Sequence, residues 1–196
     1  MAFTMIELIF AIVIIAITVV SLPMMMQVNT KGMDNNLAQE AIFAASVELM
    51  QATTGYWDAN SMNDIALSNY SRVINISGDC DSITKLRPGH IAQPFHRRCI
   101  EDTTITSPSN IIGNSLYKTL NDLEHASQKL YIGNASRSGY KNTNLTISLS
   151  VSVDADTNIK ILTATVKDPT DNNKIVTQLS TQSANVGEPQ YYKRMF

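Results

Sequence analysis

The sequence predicts an α+β fold: a long N-terminal hydrophobic helix continuing into a head that carries one extra helix and an antiparallel β-meander. Three observations carry this expectation. Charge is missing from one end, since every Lys and Arg lies at Lys31 or later and all 17 acidic residues except Glu7 lie at Asp34 or later. Apolar residues recur at spacings of three and four from Leu37 to Ala52, and again from Ile112 to Leu130. Between Leu145 and Val153 they alternate strictly with Thr and Ser, the period of a strand with one buried face.

The first element is the apolar one. Phe3 to Met26 is 24 residues. As a helix rising roughly 1.5 Å per residue it reaches about 36 Å, enough to cross a hydrocarbon core of about 30 Å with some tilt. A secretory signal peptide has a basic start and a small-residue cleavage site behind a shorter apolar run. Here nothing basic precedes the run, and Ser21-Leu22-Pro23-Met24-Met25-Met26 follows it. Glu7 lies near the start of the run, where an acidic side chain costs on the order of 3 kcal/mol to insert. Two readings stay open on local grounds. The carboxylate reaches interfacial water, or its partner arrives from another chain.

The motif itself supplies a resemblance. Phe3-Thr4-Met5-Ile6-Glu7-Leu8, followed by Ile9-Phe10-Ala11-Ile12-Val13-Ile14-Ile15-Ala16-Ile17, resembles the start of a mature type IV pilin or pseudopilin. That family begins with Phe-Thr, any residue, then Ile-Glu-Leu and an apolar helix. The likeness covers about the first 25 residues. It implies cleavage between Ala2 and Phe3 by a prepilin peptidase and methylation of the new amine. It also implies pairing of Glu7 with the Phe3 amine of a neighbouring subunit during assembly. In hydrocarbon an ammonium and a carboxylate are each costly alone and far less so together. Family leaders usually carry Lys or Arg and end in Gly. Only Met1-Ala2 precedes Phe3 here, so the expectation is a truncated start or unusual processing. Pro23 matches a proline often found about twenty residues after the family's Phe. It either kinks a longer helix or ends the membrane helix.

The resemblance implies a pilin-like division of the chain: a leader remnant at 1–2, a transmembrane and filament-core helix at 3–27, an amphipathic continuation at 28–56, and a globular head at 57–196. It implies a single-pass protein of the bacterial inner membrane with its head in the periplasm, later part of a periplasmic or surface filament. The partners implied are the prepilin peptidase, other pilin or pseudopilin subunits and the inner-membrane assembly platform. Nucleic acid enters only if the filament serves DNA uptake. The overall charge of −2 gives no general reason to expect nucleic-acid binding.

Beyond the membrane segment, Met24 to Asn36 reads as transitional, with Gly32 as a weak point. From Asn36 the helix resumes on Leu37, Ala41, Ala44, Ala45, Glu48 and Ala52, with Ile42, Leu49 and Thr53 as an adjacent stripe. Gly55 reads as its stop. Trp57, directly after, reads as a core residue. Val73-Ile74-Asn75-Ile76 suits a short strand. Ser107-Pro108 opens the extra helix, whose stripe is Ile112, Leu116, Leu120, Leu123, Ser127 and Leu130, with Gly133 at its end. The meander follows: Leu145–Val153, Ile159–Val166 and Lys174–Leu179, joined by the turn-forming stretches 154–158 and 168–173.

Two cysteines, Cys80 and Cys99, bracket a loop containing Arg87, His90, His96, Arg97 and Arg98. An even count behind a membrane segment suits one disulfide in an oxidising compartment. The spacing Cys-x9-His-x5-His-x2-Cys also invites a zinc reading, though no familiar zinc module uses it. The loop's basic residues suit either a solvated surface or an acidic partner. Asp154, Asp156 and Asn158 resemble the start of a calcium loop, but the usual Gly is absent and Thr165 stands where a Glu is needed. A plain hairpin turn is the better account of them, with calcium the weaker alternative.

There is no phosphate-binding Gly loop, no nucleophile elbow and no paired His on a helix face, and the chain has three His in all. The expectation is a structural subunit without cofactor, not an enzyme: a minor pilin or pseudopilin of a type IV pilus, type II secretion or DNA-uptake filament. A major pilin and a non-polymerising membrane-tethered binding module are the alternatives.

Overall fold

The structure is a computed structural model and describes residues 4–62, 70–89, 93–94, 97–109, 118–130 and 144–188. One helix, α1 (Met5–Ala52), is followed by four strands, β1 (His125–Lys129), β2 (Thr146–Val153), β3 (Ile159–Asp168) and β4 (Lys174–Ala184). The strands form one antiparallel sheet in the order β1-β2-β3-β4. This is the α+β, pilin-like arrangement the sequence predicts, with all three strands of the meander in place and an added edge strand.

Helix α1 runs without interruption through both expected weak points, Pro23 and Gly32. Position 23 lacks the N–H that would bond the Val19 carbonyl, and one missing bond does not end a helix of 48 residues. Gly32 costs about 1 kcal/mol relative to Ala and also leaves the helix intact. The hydroxyls in the apolar stretch bond back to the helix: Thr18 Oγ1 donates to the Ile14 and Ile15 carbonyls, and Ser21 Oγ to Thr18.

The second half of α1 lies across β4 and β3 and reaches β2. It buries Ala41, Ala45, Leu49 and Ala52, spaced 4, 4 and 3 residues apart. Three alanines out of four let the helix approach the sheet closely. Leu49, expected on the adjacent stripe, is in the core, while Ile42 is largely exposed. The sheet contributes Ile147 and Leu149 from β2 and Leu162, Ala164 and Val166 from β3. Trp57 is buried among them, and its ring N–H donates to the Ser183 carbonyl at 3.0 Å. At the β1 edge, His125 Nε2 meets Glu48 Oε1 at 2.9 Å and ties α1 to the sheet.

The extra helix expected over 107–133 is not present in its described parts. Residues 107–109 are coil, Asn121–Leu123 form a single 3-10 turn and His125–Lys129 form β1; residues 110–117 and 131–133 lie outside the described residues. Its described leucines still reach the core, Leu120 fully buried and Leu123 and Leu130 partly. They do so as a turn and a strand, because pairing with the open edge of β2 satisfies the backbone of 125–129 and overrides the local 3.6-residue period. Val73–Ile76 likewise makes only one parallel bridge, Val73 to Cys99, and no strand.

Gly55 has a different role from the one its position suggests. The helix ends at Ala52 with Thr53 as its cap, and Gly55 does not adopt a positive φ. A Cβ at Gly55 would sit 2.9 Å from Leu123 Cδ1 and 3.3 Å from the Thr119 carbonyl carbon. The glycine therefore lets 118–123 run alongside the chain. Tyr56 N donates to the Lys118 carbonyl and Leu120 N to the Tyr56 carbonyl. The β3–β4 turn uses Asn172 and Asn173, both at positive φ, a conformation Asn tolerates better than most residues.

Candidate functional site: the exposed apolar face of the helix

In the described structure no residue covers the first half of α1. The most apolar 18-residue window of α1 has mean hydropathy 2.8 and none of it is buried, so the helix is long and apolar enough to cross a membrane. Ile6, Leu8, Ile9, Phe10, Ile12, Ile14, Ile15, Ile17, Val19, Val20, Leu22 and the three methionines after Pro23 all stand exposed. An exposed apolar area of this extent is unusual for a water-soluble surface and marks contact with lipid or protein. Glu7 sits in the first turn of α1, at the edge of this surface, where the helix dipole favours an anion. Its amide donates to the Thr4 carbonyl at 3.1 Å, and Thr4 gives no side-chain cap. Ala2 and Phe3, the expected processing and pairing positions, lie outside the described residues.

The exposed apolar surface extends past the membrane-length segment. Phe43, Val47 and Met50, spaced 4 and 3 apart, face away from the sheet and are 69%, 60% and 71% exposed. They form a second stripe on the helix side opposite Ala41, Ala45 and Ala52. The sequence reading followed the buried stripe and missed this one. The signal was available, because an amphipathic helix with large apolar residues on both sides has two faces to cover.

The other expected sites resolve as follows. Cys80 and Cys99 are joined in a disulfide with Cα atoms 6.3 Å apart. That removes both thiolates from the zinc arrangement, whose His90 and His96 lie outside the described residues. Two of the loop's arginines serve the fold: Arg87 donates to the Asn185 carbonyl at 3.3 Å and Arg98 to the Gln93 carbonyl at 3.3 Å. Asp81 closes the turn at the start of the loop. It accepts from the amide and hydroxyl of Thr84 and the amide of Ile83, and these bonds hold its carboxyl below the ordinary 3.8.

Asp154, Asp156 and Asn158 close the β2–β3 turn. Asp154 Oδ1 accepts from Ala155 N and Asp156 Oδ1 from Asn158 N, while Asn158 Oδ1 accepts from Asn185 Nδ2 at 3.0 Å. Among the described residues no group of three His, Cys, Asp or Glu is placed to hold a metal ion. The calcium-like spacing is that of a turn whose side chains cap their own backbone.

Asn185 is a structural residue the sequence reading did not find. Its side chain bonds the Ile74 backbone both ways, accepting from Ile74 N at 3.1 Å and donating to Ile74 O at 2.7 Å. It thus fastens the 71–76 segment to the end of β4. No family model, curated protein or solved structure matches this chain.

Proposed function

We propose that this chain is a pilin-like structural subunit that is held in a membrane by the first half of α1 and assembles into a filament by packing those helices together. The observation that carries the reading is the uncovered, charge-free surface from Leu8 to Thr30 on the same rigid helix that supports the head, with Glu7 at its membrane-entry end. A tether needs only the apolar length. It does not need an acid inside the start of the run or a second apolar stripe at Phe43, Val47 and Met50. Assembly uses all three. The apolar span packs on like spans, Glu7 pairs with the amine of a neighbour's Phe3, and the second stripe lies against an adjacent subunit. Within this reading a minor pilin or pseudopilin fits best, with the head on the far side of the bacterial inner membrane and a prepilin peptidase and assembly platform as partners.

The test is incorporation of tagged Glu7→Gln protein into sheared filaments, normalised to its level in the inner membrane. Loss of the carboxylate leaves a buried ammonium short of its counter-ion, at a cost of about 3 kcal/mol or more. That is roughly a hundredfold in the docking equilibrium. The expected result is a stable, membrane-resident subunit depleted from filaments. Equal incorporation of variant and wild type removes the pairing mechanism, and absence of the wild-type chain from any filament favours the tethered module.

A further inference from the structure

The inward row of β3 reads Lys160, Leu162, Ala164, Val166, and its first member is a fully buried lysine where the other three are apolar. The ammonium hydrogens of Lys160 Nζ have three acceptors: the Trp57 carbonyl at 2.8 Å, Asp58 Oδ2 at 2.7 Å and Asn121 Oδ1 at 2.9 Å. The Trp57 ring lies against the same atom, with its centroid 4.7 Å from Nζ. Asp58 is also fully buried and is held in place by three backbone donor contacts, from Asn60 N to Oδ1 and from Ser109 N to both oxygens. Asn121 donates from Nδ2 to the Ser109 carbonyl at 3.0 Å, which turns its carbonyl end toward the lysine.

A buried ion pair needs an acid and a base. This site adds a half-buried carboxamide whose oxygen touches the same nitrogen, beside a lysine and an aspartate that are both fully buried. A nucleophile, an acyl group and a proton carrier are therefore assembled together. We propose that Lys160 and Asn121 form an intramolecular isopeptide bond, with Asp58 as the catalytic proton carrier.

The atoms balance without any co-reactant. Asp58 Oδ2 takes one proton from Nζ across the 2.7 Å contact, which converts the ammonium to an amine. The nitrogen lone pair attacks Cγ of Asn121, and the carbonyl electron pair moves to Oδ1. Nζ gives up a second hydrogen and Nδ2 gains one. The carbonyl re-forms, and the Cγ–Nδ2 bond breaks with its electrons leaving on ammonia. A Cγ–Nζ amide has replaced a Cγ–Nδ2 amide, and nothing is oxidised or reduced. Of the two hydrogens lost by Nζ, one departs in ammonia and the other stays on Asp58, so neither member of the pair is left as a buried lone ion. Aminolysis of an amide is slow between free molecules. Fixed placement of the reactants supplies effective molarities on the order of 10⁵–10⁸ M in well-oriented intramolecular cases. Asp58 is the poorer acyl group, because an ionised carboxylate resists attack. The link joins the turn preceding edge strand β1 to β3, on the face of the sheet that α1 packs against, and is independent of the filament reading.

The experiment is peptide mapping of the full-length protein, extracted from membranes in detergent, then reduced, denatured and digested with trypsin. The expected product is a branched peptide containing Asn121 and Lys160, lighter by one ammonia than the sum of its parts, with cleavage after Lys160 blocked. Asn121→Ala keeps the Asp58–Lys160 pair and should restore cleavage after Lys160 in a folded protein. Lys160→Arg should also lack the link. Complete cleavage after Lys160 in the wild type overturns the proposal. So does loss of water with Lys160 joined to Asp58, and so does ammonia loss at Asn121 without linkage to Lys160, as in a succinimide with Asp122.

Discussion

In the second half of α1 the buried positions are Ala41, Ala45, Leu49 and Ala52, three of them small and all pressed against a sheet, while in the first half large side chains stand exposed all round the helix. Both halves are equally helical, so secondary structure does not separate them. What separates them is the partner. One side of the second half finds its cover within its own chain and is sized to fit it, while Phe43, Val47 and Met50 on the other side stay exposed. The first half carries Ile, Val, Leu, Phe and Met in every direction and has no cover among the described residues. A helix that is apolar all round belongs inside a membrane or inside an assembly. One element thus carries a half that packs on the head and a half that is long and apolar enough to span a membrane.

The largest test of this division lies in the head. Asp58→Ala strands the buried Lys160 charge and should destabilise the head by about 3–5 kcal/mol. Protease resistance of the head should fall while carbonate-resistant membrane association of the helix persists. If membrane association is lost as well, the two regions are not independent.

A matched pair of substitutions addresses the helix directly. Ala45→Leu places three extra carbons at a fully buried position and should cost about 1–3 kcal/mol in denaturant unfolding of the detergent-solubilised protein. Ala16→Leu, in the uncovered half, should leave that midpoint unchanged. Equal effects at both positions would erase the distinction. Gly55→Ala should cost about 1–2 kcal/mol, since its methyl meets Leu123 and the Thr119 backbone, and Leu123→Ala should relieve part of the strain.

The smallest expected effect is in pH. Hydrogen bonds from Thr84 and Ile83 lower the carboxyl of Asp81, and hydrogen bonds from Thr104 lower that of Asp102. A depressed folded value means the unfolded chain binds protons more readily. The contribution is therefore present above about the ordinary 3.8 and is lost as pH falls through the lower folded values. Both groups are exposed, so the effect should be minor. NMR titration of the two carboxyls should show midpoints below 3.8, and substitution of Thr84 by Ala should move that of Asp81 up.

The sequence by itself determined the properties that depend on near neighbours. These were the charge-free helix, the apolar stripe at Ala41 to Ala52, the three meander strands with their Asp- and Asn-rich turns, and a disulfide as the fitting use of two cysteines. Each follows from a period, a composition or a compartment that a short window displays. The tertiary structure decided what depends on residues far apart in the chain. The described part of a 3.6-residue leucine stripe, from Leu120 onward, became a turn and the edge strand β1 because β2 offered an unpaired edge. Nothing in the sequence around Lys160 shows that Asp58, Trp57 and Asn121 come from elsewhere to meet it. Gly55 looked like a helix stop until Thr119 and Leu123 came within reach of its missing side chain. Asn185 carries no local sign that it will grip Ile74, 111 residues away. Local patterns report the backbone period a segment favours, and long-range pairing then chooses among the structures that can bury the same side chains.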